Sequence, residues 1–263
     1  GHPGVEIIAA DAGGGLLDPT RALEGTPRSQ GSLGVGLASA RELASELDID
    51  VRVHEGTCLR ARVFDGAPAR RREVGIFGRP HRDESRSGDH ACMKRDDRRL
   101  LVGVCDGLGH GAPAREAAGA AMRVFHAEHA AAPKAILEEC HRALSGTRGA
   151  VMAVVALRER DASDLELASV GNITVQLVQP HASRSFGASS FVVGAAQRAW
   201  RAHTETVALD PEEVLVLYTD GIASRASLAE ELALLRQHPI VIAQHLLERF
   251  GREDDDALVL VAR

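Results

Sequence analysis

Two stretches far apart in the chain end alike. "RLLVGVCDG" (99–107) runs through apolar residues to Asp106-Gly107, and "EVLVLYTDG" (213–221) does the same to Asp220-Gly221. A carboxylate at the mouth of a buried strand puts an oxygen ligand at the rim of a core. The glycine after it lets the backbone turn tightly, bringing its carbonyl close to whatever the carboxylate holds. Two more acidic positions join them: Asp89 in "RSGDHACMKRDD", and Asp254, Asp255 and Asp256 in "GREDDDALVLVA". Gathered carboxylates repel one another unless a cation sits among them. Hard oxygen donors without His/Cys spacing point to Mg²⁺ or Mn²⁺ rather than zinc. Two such ions side by side would activate a water and stabilise phosphoryl oxygens during in-line displacement. Asp-Gly is also a common turn dipeptide, so it is the repetition at the ends of matched apolar strands that argues for one shared site.

The elements that must carry these residues are many strands with grouped helices. Near the front, the pattern predicts a strand "VEIIAAD", a glycine-rich turn, a polar loop, a helix "GVGLASARELASELD" and two strands, "IDVRVH" and "TCLRARVF". "DGAPARRR" (65–72) reads as a linker. Beyond it, strands are expected at 73–78, 99–105, 150–157, 164–170, 173–178, in "EVLVLYTD" and in the closing "ALVLVA"; helices are expected near 112–130, 133–145, 226–236 and 239–249. This is not strict βαβ alternation, and an α+β layered β-sandwich flanked by helices fits it better than a doubly wound sheet.

Composition narrows the function. A net charge of -6, a pI near 6.1 and 3% aromatic residues give neither the basic footprint nor the stacking platforms of a nucleic-acid binder. The basic runs Arg70-Arg71-Arg72 and Lys94-Arg95 read as solvated segments. Cys58, Cys92, Cys105 and Cys140 form no C-x-x-C pair, which suits a reduced, cytoplasmic protein. Cys105 alternates away from the face of Asp106, so it is expected to pack in the core rather than react. No apolar run approaches the roughly 18 residues that span a bilayer, so no membrane partner is expected. Gly1-His2, without an initiator Met, reads as a tag scar or the start of a fragment.

The segments "SGDHA", "VGVCDGLGHGAPAREAA", "LSGTRGAVMAVVAL", "ASVGNITVQLV", "LVLYTDGI" and "DDDALVLVA" occur in this order. Together they resemble the sporulation-protein-IIE-type serine/threonine phosphatases, a branch of the metal-dependent type 2C-like phosphatases. Within that branch they look most like the small feedback phosphatases of stress-response sigma-factor cascades. The resemblance covers about residues 72–263. It implies a ββ sandwich flanked by helices with two Mn²⁺ or Mg²⁺ ions in the cleft between the sheets. By that resemblance Asp106 bridges the metals and Gly107 gives a backbone carbonyl. Asp220, Asp255 and Asp89 complete the catalytic and metal set, with Asp256 a weaker neighbour. The family's upstream phosphate-binding arginine has no matched position, although Arg86 is near. The implied reaction is direct attack of activated water on a phosphoserine or phosphothreonine, without a covalent enzyme intermediate. The implied substrate is a phosphorylated STAS-type anti-sigma antagonist, and a homodimer is compatible with this reading.

The front end carries a second resemblance. "IIAADAGGGLLD" followed by "SQGSLGVGLASARELA" resembles the later part of the GHKL-type ATPase fold of anti-sigma-factor kinases. It implies ATP contacts at Asp11, Gly13 and Gly15 beside the adenine and at Gly34 and Gly36 beside the phosphates, since glycines before a helix let N–H groups approach phosphate. The helix that carries that family's Mg²⁺-binding Asn and acidic catalytic residue is absent here, so kinase activity is not expected. Residues 1–65 are thus read as a partial GHKL-type lobe, 66–72 as a linker and 73–263 as the phosphatase domain. The alternative is a nucleotide-binding regulatory module with a non-catalytic rear domain.

Overall fold

A computed structural model describes residues 3–25, 36–66, 71–96, 98–127, 132–158 and 164–263. The chain begins with β1 (Gly4–Ala10), α1 (Pro19–Leu23), α2 (Gly36–Leu43), β2 (Glu46–Arg52) and β3 (Gly56–Phe64). It continues through β4 (Val74–Arg79), β5 (Asp89–Arg95), β6 (Arg99–Gly107), α3 (Ala112–Ala127) and α4 (Pro133–Ala143). Then follow β7 (Ala150–Arg158), β8 (Asp164–Val170), β9 (Thr174–Gln179), β10 (Ala182–Ser185), β11 (His203–Ala208) and β12 (Val214–Tyr218). The chain closes with α5 (Pro239–Phe250) and β13 (Ala257–Ala262).

The strands form two sheets, eight in the order β1-β3-β2-β4-β13-β12-β9-β10 and five in the order β11-β8-β7-β6-β5. Among the described residues, the ladders between these strands are antiparallel except that of β2 with β4. Three apolar layers hold the stack. Leu100, Val102 and Val104 of β6 meet Leu258 and Leu260 of β13 between the sheets. Leu101 and Cys105 face the helical side, packing with Ala117, Ala121 and Phe125 of α3 and with Ile136 and Cys140 of α4. Val259 and Val261 face Ile240, Ala243 and Leu247 of α5 on the opposite side. The order is therefore helices, sheet, sheet, helix, the layered α+β sandwich expected from the sequence.

This alternation aims the chemistry. Side chains two apart share a strand face. Asp106 continues the Leu100–Val102–Val104 face, and Asp89 precedes Ala91 and Met93, which also lie between the sheets. Asp256 precedes Leu258 and Leu260 on the same inner face. Cys105 lies on the opposite side, fully buried as anticipated.

The front strands do not stand apart from the sandwich: β2 hydrogen-bonds in parallel to β4, so β1–β3 extend the eight-stranded sheet. Buried charges lace this seam. Arg62 Nη1 donates to Glu46 Oε2 at 3.0 Å and Asp48 Oδ2 at 2.9 Å, and Arg71 Nε donates to Glu46 Oε1 at 2.6 Å. The same ion pairs correct the expected helix at 34–48. The helix ends at Leu43 and a strand starts at Glu46, because Leu47, Ile49 and Val51 alternate into the core while Glu46 and Asp48 meet arginines. Local helix propensity yields there to tertiary pairing. The helix expected at 226–236 is also corrected: only Leu234–Arg236 form a short 3₁₀ turn. The strands β5, β10 and β11 and the short helix α1 were not anticipated. Gly34, residues 67–70 of the expected linker and 128–130 of the expected helix lie outside the described residues, while Arg71 and Arg72 on the linker's far side are both hydrogen-bonded. Among the described residues, no helix is long and apolar enough to cross a membrane.

Candidate metal centre

The two Asp-Gly strand ends converge at one end of the inter-sheet layer. In the β5–β6 ladder Asp89 stands opposite Asp106. Thr219, the residue after β12, is fully buried and ties the two sheets together. Its hydroxyl donates to Asp89 Oδ2 at 2.6 Å and accepts the N–H of Leu258 at 3.0 Å. Asp220 follows directly and is oriented by Asn172 Nδ2, which donates to its Oδ2 at 2.8 Å.

Both glycines are required by close approach. A Cβ on Gly107 would lie 2.0 Å from the Ala114 carbonyl oxygen of α3, and one on Gly221 would lie 1.9 Å from that of Asp256. The Asp-Gly dipeptides therefore mark places where another backbone presses against the strand end, in addition to any role of the carbonyl itself.

The acidic run divides its labour. Asp254 is exposed, Asp255 half-buried and Asp256 buried. Asp256 is engaged by backbone: it accepts His81 N at 2.7 Å and Gly88 N at 2.9 Å, fixing the loop before β5. Asp255 lies close enough to Asp220 to feel its charge, while Arg79 holds its backbone carbonyl at 3.3 Å.

The electrostatics are those of a crowded acidic cleft. Burial, then the charges of Asp220 and Asp255, push the Asp106 carboxyl up to about 7, with a hydrogen bond to Asp89 opposing the rise. Burial and Asp106 raise Asp89 well above the usual carboxylate range. Burial and Asp220 also raise Asp255. Asp89, Asp106, Asp220 and Asp255 thus act on one another. Among the described residues, no three His, Cys, Asp or Glu side chains are already gathered into a cage for an ion. Hard cations also accept carbonyl and water oxygens, so this donor set fits Mg²⁺ or Mn²⁺. Burial drives the Cys105 thiol far up and that of Cys92 up to about 12, so neither is held as a reactive thiolate.

The front glycines are arranged differently. Asp11 Oδ1 accepts the N–H of Gly13 at 2.7 Å, capping its own loop. Gly15 packs against the backbone of Arg52 and Val53, whereas Gly36 opens α2 with nothing within 4 Å of where a Cβ would sit. Arg86 is exposed. Sequence reasoning missed Thr219 and Asn172. Each had a signal: Thr219 is the inward-facing position one step before Asp220, and Asn172 lies in the Gly-Asn turn between β8 and β9.

The model of the Stage II sporulation protein E (SpoIIE) family matches residues 96–263. The chain belongs to that family. It is accordingly a protein serine/threonine phosphatase of the metal-dependent, type 2C-like class, and the match spans Asp106, Asp220 and Asp255. Phosphoserine phosphatase RsbX of Bacillus subtilis (strain 168) is 28% identical over 137 residues, 51% of this chain and 67% of RsbX. A chain solved in a study of the bacterial stressosome as a modular system adapted to control secondary messenger signalling is 30% identical. It covers 74% of this chain and 100% of its own length, with a TM-score of 0.68. RsbX in complex with magnesium shares the fold at 22% identity and a TM-score of 0.61, over 74% of this chain and 96% of RsbX.

Proposed function

We propose that this SpoIIE-family phosphatase removes phosphate from a phosphoserine or phosphothreonine of a STAS-type anti-sigma antagonist in a bacterial partner-switching cascade, in the cytoplasm. The observation that carries the reading is the meeting of the strand ends: Asp89 stands opposite Asp106, Thr219 joins Asp89 to the strand end that bears Asp220, and burial with neighbouring carboxylates raises Asp89, Asp106 and Asp255. Acids held in such a state are poised to exchange protons for divalent cations.

Asp106 is the central ligand in this reading, with Asp220, Asp255 and Asp89 around it and the Gly107 carbonyl beside it. Two Mn²⁺ or Mg²⁺ ions, when bound, supply Lewis-acid stabilisation of phosphoryl oxygens and lower the pKa of water. The chain's own contribution is orientation. Asn172 fixes the Asp220 carboxylate, Thr219 fixes that of Asp89, and Asp256 fixes the loop leading to Asp89. The partner-switching substrate is supported by the similarity to RsbX and to the stressosome chain.

We read the front segment as the later part of a GHKL-type lobe whose Asp11–Gly15 turn offers ATP an incomplete site. The support is the Asp-x-Gly-x-Gly turn after β1 and a helix opening at Gly36. Calorimetric titration with Mg-ATP tests it, and absence of heat at millimolar nucleotide removes it.

The main test is hydrolysis of p-nitrophenyl phosphate and of a phosphorylated STAS-domain protein, with Mn²⁺ and with EDTA. Turnover is expected only with metal. Asp106→Asn is expected to lose more than the ~100-fold that disturbing a ligand's supporting partner can cost. Metal-independent turnover, or an unchanged variant, sinks the proposal.

A further inference from the structure

We propose that Glu55, on the turn between β2 and β3, is a positioning residue for the loop that delivers Asp89 to the metal centre. This makes the front segment a working part of the phosphatase, and it rests on the metal-site reading above. Glu55 lies outside the residues matched by the family model.

Two segments close on one residue of that loop, Ser87. Glu55 Oε1 accepts the Ser87 N–H at 3.0 Å. Glu55 Oε2 pairs with Arg115 Nη2 at 2.6 Å, and Arg115 Nη1 donates to the Ser87 carbonyl at 3.2 Å. Both backbone groups of Ser87 are thus held by one ion pair, Glu55 from the front segment and Arg115 from α3. The neighbouring contacts carry that restraint to Asp89. Ser87 Oγ accepts the Asp89 N–H at 3.0 Å, and the Gly88 N–H binds Asp256. The Gly88 carbonyl accepts Gly107 N at 3.4 Å, at the strand end that bears Asp106.

On its other side the Glu55 turn is bound to the glycine-rich loop after β1. His54 N donates to the Gly14 carbonyl at 2.9 Å, and Asp11 N donates to the Thr57 carbonyl at 3.0 Å. Leu16 N donates to Thr57 Oγ1 at 3.0 Å. The Asp11–Leu16 loop is thus hydrogen-bonded to His54 and Thr57, which flank the turn residue Glu55 that holds the backbone beside Asp89. Charge-assisted bonds of this kind are stronger than neutral ones, so the loop's place depends on the pair remaining intact. Groups behind a metal ligand typically alter metal affinity 10–100-fold when removed.

The test uses the full chain and two independent readouts. In Glu55→Ala, the Mn²⁺ concentration for half-maximal p-nitrophenyl phosphate hydrolysis should rise about 10-fold or more, while kcat at saturating Mn²⁺ stays within about threefold. Glu55→Gln keeps an acceptor for the Ser87 N–H but loses the charge that pairs with Arg115, so it should recover only part of the loss. Arg115→Met, which breaks the pair from the other side, should move the Mn²⁺ requirement the same way and keeps the proposal testable if Glu55→Ala fails to fold. Hydrogen exchange of the metal-free protein supplies a readout independent of turnover. The Ser87 and Gly88 amides should exchange faster in Glu55→Ala while the strands of both sheets keep their protection. An unchanged Mn²⁺ requirement with unchanged exchange at Ser87 and Gly88 overturns the proposal. So does faster exchange spread evenly through the sheets, which would make Glu55 merely structural. If the wild type shows no metal-dependent turnover, the metal-site reading fails, and the exchange data still decide whether Glu55 holds the loop.

Discussion

β13 and β1 are strands of one sheet with similar apolar sequences, ALVLVA and GVEIIAA, and opposite fates. Every residue of β13 is buried, between the second sheet and α5. Every residue of β1 is exposed, with Val5 at 62% and Ile7 at 58%. Each strand adjoins an acidic turn, Asp254–Asp256 before β13 and Asp11 after β1. Only the central strand's turn reaches the carboxylate cleft. Hydrophobicity along the chain reports that a strand exists. Its place in the sheet order decides whether its ends can carry a site buried enough to shift a carboxyl group.

The comparison can be broken by substitution. The largest effect should come from the centre: Leu260→Ala removes a fully buried side chain between the sheets and should cost about 2–5 kcal/mol in urea unfolding. A cost below about 1 kcal/mol would show that β13 is not the core strand it appears. Next comes the link between the sheets. Thr219→Val keeps the volume, abandons Asp89 and the Leu258 N–H, and should cost about 1–3 kcal/mol. It should also raise the Mn²⁺ requirement, and failure of both changes would remove Thr219 from the site.

A third effect is pH dependence of the metal-free protein. Asp106 titrates near 7 when folded, against ~3.9 for an unfolded aspartate, so the folded state holds the extra proton between these values. Stability in EDTA should therefore fall as pH rises from about 4 to about 7, then level off. Saturating Mg²⁺ should flatten that fall by replacing protons with cations. Melts at pH 5 and pH 7.5, with and without Mg²⁺, check the sign; stability in EDTA that climbs with pH contradicts the crowded cleft. The smallest effect belongs to the edge: Ile7→Ser should change stability by less than about 0.5 kcal/mol. A larger loss would mean that β1 is covered in solution.

Much of the centre was legible because parity along a strand is local information. The faces of Asp106 and Cys105 follow from residues two positions away, and the two Asp-Gly ends were visible as a pair. What remained hidden was set by distant partners. Glu46 and Asp48 become strand residues because Arg62 and Arg71 meet them, and a helix-prone sequence gives no sign of that. Asp256, indistinguishable from Asp255 in the sequence, is bound to the backbone of His81 and Gly88, a division visible only once the loop before β5 is folded over it. Glu55 carried no motif at all; its role depends on a turn from the front strands arriving beside Ser87.

The outermost position of β1 has a practical consequence. One long side of the sheet ends in a seven-residue strand whose Val5, Ile7 and Ile8 face water. A bare strand edge of this kind is a template for further extended chain. Exposed apolar strands of this kind favour self-association, so Ile7→Lys is expected to reduce it in light scattering without touching the carboxylate cluster.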